Sequence, residues 1–112
     1  MEIHFTSRHF RAHPTIQKHA LDAVKKLDRY YDGIRRCDVI LSFERQTNSV
    51  KIVEINLHVN RTLLHAVEKS DDYHKSIDNS IEKISRQLAK YKAKFRGKDK
   101  KTARRTKVKN IL

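Results

Sequence analysis

The sequence is short of several things at once. It has one cysteine, one proline, two glycines and no tryptophan. A single thiol, Cys37, forms no internal disulfide, which fits a reducing, cytoplasmic setting. Two glycines exclude a glycine-rich phosphate loop, and the scarcity of Gly and Pro together argues against disorder and low complexity. No apolar run approaches the roughly 18 residues of a membrane span. The start, Met1-Glu2-Ile3-His4-Phe5, lacks the basic and long apolar parts of a secretory signal. Acidic residues are scarce as well. There are 13 Asp+Glu against 26 Lys+Arg, a formal net charge of +13 and a pI near 10.1. Such an excess points to a polyanionic partner, nucleic acid first and an anionic membrane surface second.

A chain of 112 residues with 38% hydrophobic content fits one domain with one modest core. A large enzyme with a cleft between domains does not fit. The charge divides along the chain. Residues 1–96 hold 19 Lys+Arg and 12 Asp+Glu, and residues 97–112 hold 7 and 1. The last stretch has no apolar period before Val108. It reads as a basic tail, mobile when free, behind a domain that spans 1–96.

Apolar periods predict the order β-α-β-β-β-α. Ile3 and Phe5 alternate with polar neighbours as a short strand, and a turn follows over Ser7 to Ala12. Pro14 suits a first helical position, with His13 as its cap. Ile16, Ala20, Ala23, Val24, Leu27, Tyr30, Tyr31 and Ile34 then recur at helical spacing, with Gly33 as the stop. Cys37, Val39, Leu41 and Phe43 form a second strand. Gln46-Thr47-Asn48-Ser49 reads as a turn. Val53, Ile55, Leu57 and Val59 form a third strand, and Asn60-Arg61 is the next turn. Leu64 and Ala66 belong to a fourth strand, whose other parity carries Leu63 and Val67 and leaves its register open. Ser70, Asp71 and Asp72 supply a cap and acidic residues for the first turn of the last helix. Its stripe is Tyr73, Ile77, Ile81, Ile84, Leu88, Tyr91 and Phe95. Two amphipathic helices both need an apolar surface, and one face of a single four-stranded sheet supplies it: an α+β fold.

Catalytic chemistry has little to stand on. The sequence holds no G-x-S-x-G, P-loop or H-E-x-x-H. Capping accounts for the adjacent Asp71 and Asp72. Seven histidines invite a metal, but His9 and His13 sit in a loop and at a cap. His58 and His65 fall on neighbouring strands, within reach of each other, without an evident third ligand. Cys37 lies on the apolar parity of its strand and reads as a core residue. No catalytic residue, metal or cofactor is expected. The strand aromatics Phe5 and Phe43 are on the core side, so stacking on an open sheet is a weak reading.

The basic residues remain. Lys18, Lys25, Lys26 and Arg29 point outward on helix 1. Lys83, Arg86, Lys90 and Lys94 repeat at 3, 4 and 4 as one ridge on helix 2, extended backward by Asn79 and Lys75. One such row is ordinarily a solvated face. With few acidic partners along its last turns, a second basic helix and a basic tail, a phosphate-reading surface is the better account.

Certain segments carry a family likeness. They are Lys26-Leu27-Asp28-Arg29-Tyr30-Tyr31-Asp32, Val39-Ile40-Leu41-Ser42-Phe43-Glu44-Arg45, Leu57-His58-Val59-Asn60, and Ile77-Asp78-Asn79-Ser80-Ile81-Glu82-Lys83-Ile84-Ser85-Arg86-Gln87-Leu88. Collinear over about residues 1–96, they make the chain resemble the ribosome hibernation-promoting factor and ribosome-associated inhibitor family, the sigma-54 modulation proteins. Asp72-Tyr73-His74 stands where relatives often have Asp-Met-Tyr, and the basic tail is unlike the acidic one of the ribosome-associated inhibitors.

The resemblance implies a double-stranded-RNA-binding-domain-like fold with both helices on one sheet face. It also implies binding to the small ribosomal subunit in the channel of messenger and transfer RNA, with translation blocked and ribosomes stored. By this likeness Lys26, Lys83, Arg86, Lys90 and Lys92 would meet ribosomal RNA phosphates. Lys25, Arg29 and Lys94 join them from periodicity. Two other readings stand beside it: a DNA-binding transcription modulator and a small nuclease. The oligomeric expectation is a monomer or a weak dimer through a sheet face carrying Ile40 and Ile52.

Overall fold

The computed structural model describes the backbone of residues 1–44 and 50–106 and the side chains of residues 1–44 and 50–94. The order is β1 (Glu2–Ser7), α1 (Pro14–Tyr30), β2 (Ile34–Phe43), β3 (Lys51–Val59), β4 (Thr62–Ser70) and α2 (Tyr73–Thr106). This is the β-α-β-β-β-α order predicted from the apolar periods. One sheet has strand order β1-β2-β3-β4. β1 runs parallel to β2, and the other two pairs are antiparallel. The turn expected over Gln46-Thr47-Asn48-Ser49 lies outside the described residues.

Alternation along the strands selects the buried face. Cys37, Val39 and Leu41 of β2, Val53, Ile55, Leu57 and Val59 of β3, and Ala66 of β4 are buried. They meet Ala20, Val24 and Leu27 of α1 and Tyr73, Ile77, Ile84 and Leu88 of α2 in one core. Ile34 and Cys37 both face inward although three residues apart. A register shift between Ile34 and Arg36 takes up the odd residue. The register of β4 settles as Ala66 inward, with Leu63 and Val67 exposed on the other side. The Cys37 thiol is pushed up to about 12, mainly by burial and then by the neighbouring Asp38 charge. It behaves as a small core residue.

Three local expectations change. Helix α1 ends at Tyr30, not at Gly33, and Tyr31 is already extended at φ −148° and ψ 123°. Ile34, counted on the helical stripe, is the first residue of β2. Gly33 has no positive φ. It makes room instead, because a Cβ there would stand 2.5 Å from the Tyr31 ring. Asp71 and Asp72 precede α2 and do not lie in its first turn, which holds no acidic residue. Ser70 does the local capping, its Oγ accepting the Asp72 N–H at 3.2 Å.

The third change concerns the C-terminus. Helix α2 continues to Thr106, into the basic segment that reads from sequence as a tail. Lys, Arg and Ala are strong helix formers, so the helical period outlasts the apolar one. The isolated Gly97 costs only about 1 kcal/mol. Residues 107–112 lie outside the described residues.

Helix α2 is fastened to the sheet by polar bonds as well as by its stripe. Tyr73 Oη donates to the Ser42 carbonyl at 2.7 Å, and Ser76 Oγ donates to the Lys51 carbonyl at 2.8 Å. Gln87 serves the edge strand. Its Nε2 donates to the His65 carbonyl at 2.8 Å, and its Oε1 accepts the His65 N–H at 3.3 Å. Tyr91 Oη donates to the Asn60 carbonyl at 3.0 Å.

Among the described residues, no helix covers the opposite sheet face. Strand register sets its rows as Glu2, Arg36, His58 and Leu63; then His4, Asp38, Asn56 and His65; then Thr6, Ile40, Glu54 and Val67. His58 and His65 thus share a face in successive rows, but each has its own partner. His58 Nε2 lies 3.1 Å from Asp38, and His65 Nδ1 lies 2.6 Å from the Asn56 side-chain oxygen. Asp38 also accepts from Arg36 Nε at 2.7 Å. Burial alone would raise the Asp38 carboxyl, but the bonds to Arg36 and His58 outweigh it and hold it below the ordinary value of 3.8. A lowered carboxyl stabilises the fold above the unfolded value, and the gain disappears as pH falls through the folded one. Asp38→Asn is therefore expected to lose about 1–2 kcal/mol near neutral pH. The gap to wild type should narrow below about pH 4, as read from urea midpoints across a pH series.

Candidate nucleic-acid interface

The two helices lie side by side and run the same way. Near their starts, His19 Nε2 is 2.7 Å from Asp78, and the His19 and His74 rings meet edge to face at 4.9 Å. Near the end of α1, Lys92 reaches across from α2. Its Nζ donates to the Tyr30 carbonyl at 3.2 Å and sits 4.4 Å above the Tyr30 ring centre. The free carbonyls at a helix C-terminus attract a cation, and an aromatic face adds to that attraction.

The predicted cations are not one cluster. Lys25, Lys26 and Arg29 are all exposed on α1. Lys26 borders a groove between the helices together with Ala23, Leu27, Tyr30, Ile81 and Ser85. Lys25 lies instead beside Leu21 and Asp22, on the flank of α1 with Lys18. On α2, Lys83, Arg86, Lys90 and Lys94 are exposed and Lys92 is half-buried. Lys83 leans toward β4, where its Nζ is 3.1 Å from Glu68. Arg86 pairs with Glu82 at 2.9 Å, one turn back. Lys90 and Lys94 make no ion pair among the described residues, and neither do Lys25, Lys26 and Arg29. These five present the least compensated positive charge.

Lys92 is set apart by helix geometry. It follows Lys90 by two residues, about 200° around the axis at 100° per residue. That turns it from the ridge toward α1, where it acts as a clasp between helices. The sequence held this signal in the spacing, since Lys92 never shared the 3, 4 and 4 repeat. Lys83 and Arg86 are also engaged, but exposed pairs of this kind contribute little and exchange readily with other anions.

Sequence reasoning passed over Tyr30. It was placed with the apolar stripe, yet its ring is 48% exposed at the end of α1. The other tyrosines turn inward: Tyr73 is buried, and Tyr31 and Tyr91 pack edge to face with ring centres 5.9 Å apart. The histidines do not assemble a ligand set. Among the described residues, no group of three or more His, Cys, Asp or Glu is placed to hold a metal ion. Among those residues, too, no helix is long and apolar enough to cross a membrane.

Fold and surface define a class, a small α+β module whose cations project from two helices on one side of a single sheet. Comparison with known proteins gives the class a family. Residues 3–96 match the family described as Sigma 54 modulation protein / S30EA ribosomal protein. The chain belongs to this family. It is 30% identical over 96 residues to a ribosome hibernation promoting factor of Klebsiella oxytoca, covering 86% of this chain and 98% of that protein. A solved ribosomal subunit interface protein from Coxiella burnetii superposes with a TM-score of 0.75 at 26% identity, over 83% of this chain and 99% of that one. The N-terminal domain of Thermus thermophilus Protein Y shares the fold, with a TM-score of 0.70 at 23% identity, over 81% of this chain and 99% of that domain.

The clasp separates two lysines that composition treats alike. Lys92→Met should lower stability by about 1 kcal/mol through loss of the carbonyl bond and the ring contact. Lys90→Met should stay within about 0.5 kcal/mol of wild type. Thermal unfolding of the two variants checks the difference, and equal midpoints would deny the clasp any stabilising role.

Proposed function

We propose that this protein is a ribosome hibernation factor. It binds the small ribosomal subunit in the channel used by messenger and transfer RNA, and its occupancy there inhibits translation and keeps ribosomes idle. The attachment is electrostatic, between helix cations and ribosomal RNA phosphates. The mechanism is steric and needs no catalysis, metal or cofactor. Ribosome association would place the protein in the cytoplasm.

The observation that carries this reading is the one-sided charge. Lys25, Lys26 and Arg29 on α1, and Lys83, Arg86, Lys90 and Lys94 on α2, are all exposed on the helical side. On the bare sheet face Arg36 and Lys69 are each paired with a carboxylate, Asp38 and Glu44, while Glu2 and Glu54 add further negative charge. A phosphate backbone is attracted to one side of the molecule and not to the other. Held on two packed helices, these cations keep a fixed spacing, which suits a folded RNA better than a flexible strand. Family membership and the name of the Klebsiella oxytoca relative direct the choice of polyanion to the ribosome. Residues 1–96 supply the binding domain, and the basic segment 97–112 adds further positive charge. Nothing among the described residues favours the DNA reading. Three strands separate α1 from α2, so the two do not form a helix-turn-helix pair.

Sedimentation with small subunits across a salt series tests the proposal. Each phosphate neutralised contributes about 0.9 to the slope of log affinity against log salt. The variant Lys83→Ala, Arg86→Ala, Lys90→Ala should bind more weakly at moderate salt, with a slope smaller by about 2–3. Unchanged binding would overturn the assignment to helix α2. Failure of the wild type to bind small subunits at any salt would overturn the function.

A further inference from the structure

We infer that the groove between the helices, with Tyr30 at its end, is a binding site for one unpaired nucleotide of RNA. The inference rests on the proposed ribosome reading and extends it from phosphate contact to base contact.

Tyr30 is the exception among four tyrosines. Tyr73 and Tyr91 use their hydroxyls on backbone carbonyls. Tyr31 is packed on Tyr91. Of the four tyrosines, Tyr30 alone is exposed, at 48%. An exposed aromatic ring gains little where it stands unless something covers it.

The ring is also held in place. Lys92 fixes it from one side, through the ammonium 4.4 Å from the ring centre and the bond to the Tyr30 carbonyl. A surface held before its ligand arrives loses less freedom on binding. Beside the ring, Ala23, Leu27 and Ile81 give the groove an apolar floor, and Lys26 and Ser85 form its polar rim. The site therefore combines a flat aromatic surface, an apolar slot, a hydroxyl and an unpaired cation.

A nucleotide matches each part. A base has two apolar faces and a polar edge, and its phosphate is anionic. The base would stack on Tyr30 over the groove, its edge near Ser85, with its phosphate at Lys26. Bases held in a duplex do not offer their faces, so the occupant is unpaired. Stacking of this kind is tolerant of base identity, and among the described residues that line the groove there is no side-chain amide to read a base edge.

The test uses the full chain with small subunits and three substitutions at one position. Base stacking on an aromatic is strong enough that Tyr30→Leu should weaken affinity about tenfold. Tyr30→Phe should bind as wild type. The salt slope of Tyr30→Leu should match wild type, because no phosphate contact is lost. Tyr30→Ala controls for packing, and it should show the same loss with folding intact. A short oligoribonucleotide carrying 2-aminopurine gives a direct readout. Its fluorescence should be quenched by wild type and by Tyr30→Phe, and not by Tyr30→Leu. Equal affinity of Tyr30→Leu and wild type would overturn the site while leaving the phosphate reading in place. So would a loss that comes with a slope change of about one, since Tyr30 would then act only through Lys92. Wild type that fails to bind small subunits overturns both.

Discussion

Burial of one stripe of α2 underlies everything this protein presents to a partner. Ile77, Ile84 and Leu88 are almost inaccessible to solvent against β3 and β4. Each removes apolar area worth about 2 kcal/mol from water. That burial fixes the rotation of the helix about its axis. With the stripe inward, Gln87 must meet the edge of β4, Lys92 must turn to α1, and Lys90 and Lys94 must face water. The charges are placed by the hydrophobic residues, and a helix rotated by one residue would scatter them. The second helix is bound by the same constraint on the same sheet face. The molecule is thus two-sided, with lysines and arginines over the helices and a quieter sheet behind.

This explains why the fold was legible in the sequence and parts of the site were not. Strands β2 and β3 alternate cleanly, and the stripe of α2 repeats at 4, 4, 3, 4, 3 and 4, so period alone separates strand from helix. His13 and Pro14 marked the start of α1 through local chemistry that acts within three residues. The end of α1 was harder. Ile34 continues a helical count by chance, and Gly33 invites the role of a helix stop. Its real service, making room for the Tyr31 ring, depends on a contact that no spacing reveals. The far end of α2 was missed for the opposite reason. Helix propensity needs no apolar partner, and a search for apolar period ends where the stripe ends.

The basic residues divide in the same way. Exposure of Lys25, Lys26, Arg29, Lys83, Arg86, Lys90 and Lys94 follows from helical phase and was predictable. Their partners were not. Glu68 comes from β4 to Lys83, fifteen residues away in sequence, and the Tyr30 carbonyl comes to Lys92 from sixty-two residues away. Tyr30 itself sits one position after Arg29 at the end of a helix, where a small error in phase moves a ring from core to solvent. Long-range pairing and helix ends are the two places where one-dimensional periods lose their hold.

The two-point bond between Gln87 and His65 has a consequence for the company the protein keeps. β4 is the last strand of the sheet, and an unpaired strand edge invites any extended peptide to continue it. Gln87 occupies the invitation at the middle of that edge by offering, from a helix, the donor and acceptor that a fifth strand would bring. A peptide seeking to add there must first detach a side chain held on the flank of α2. Such a guard favours remaining separate over stacking copy upon copy.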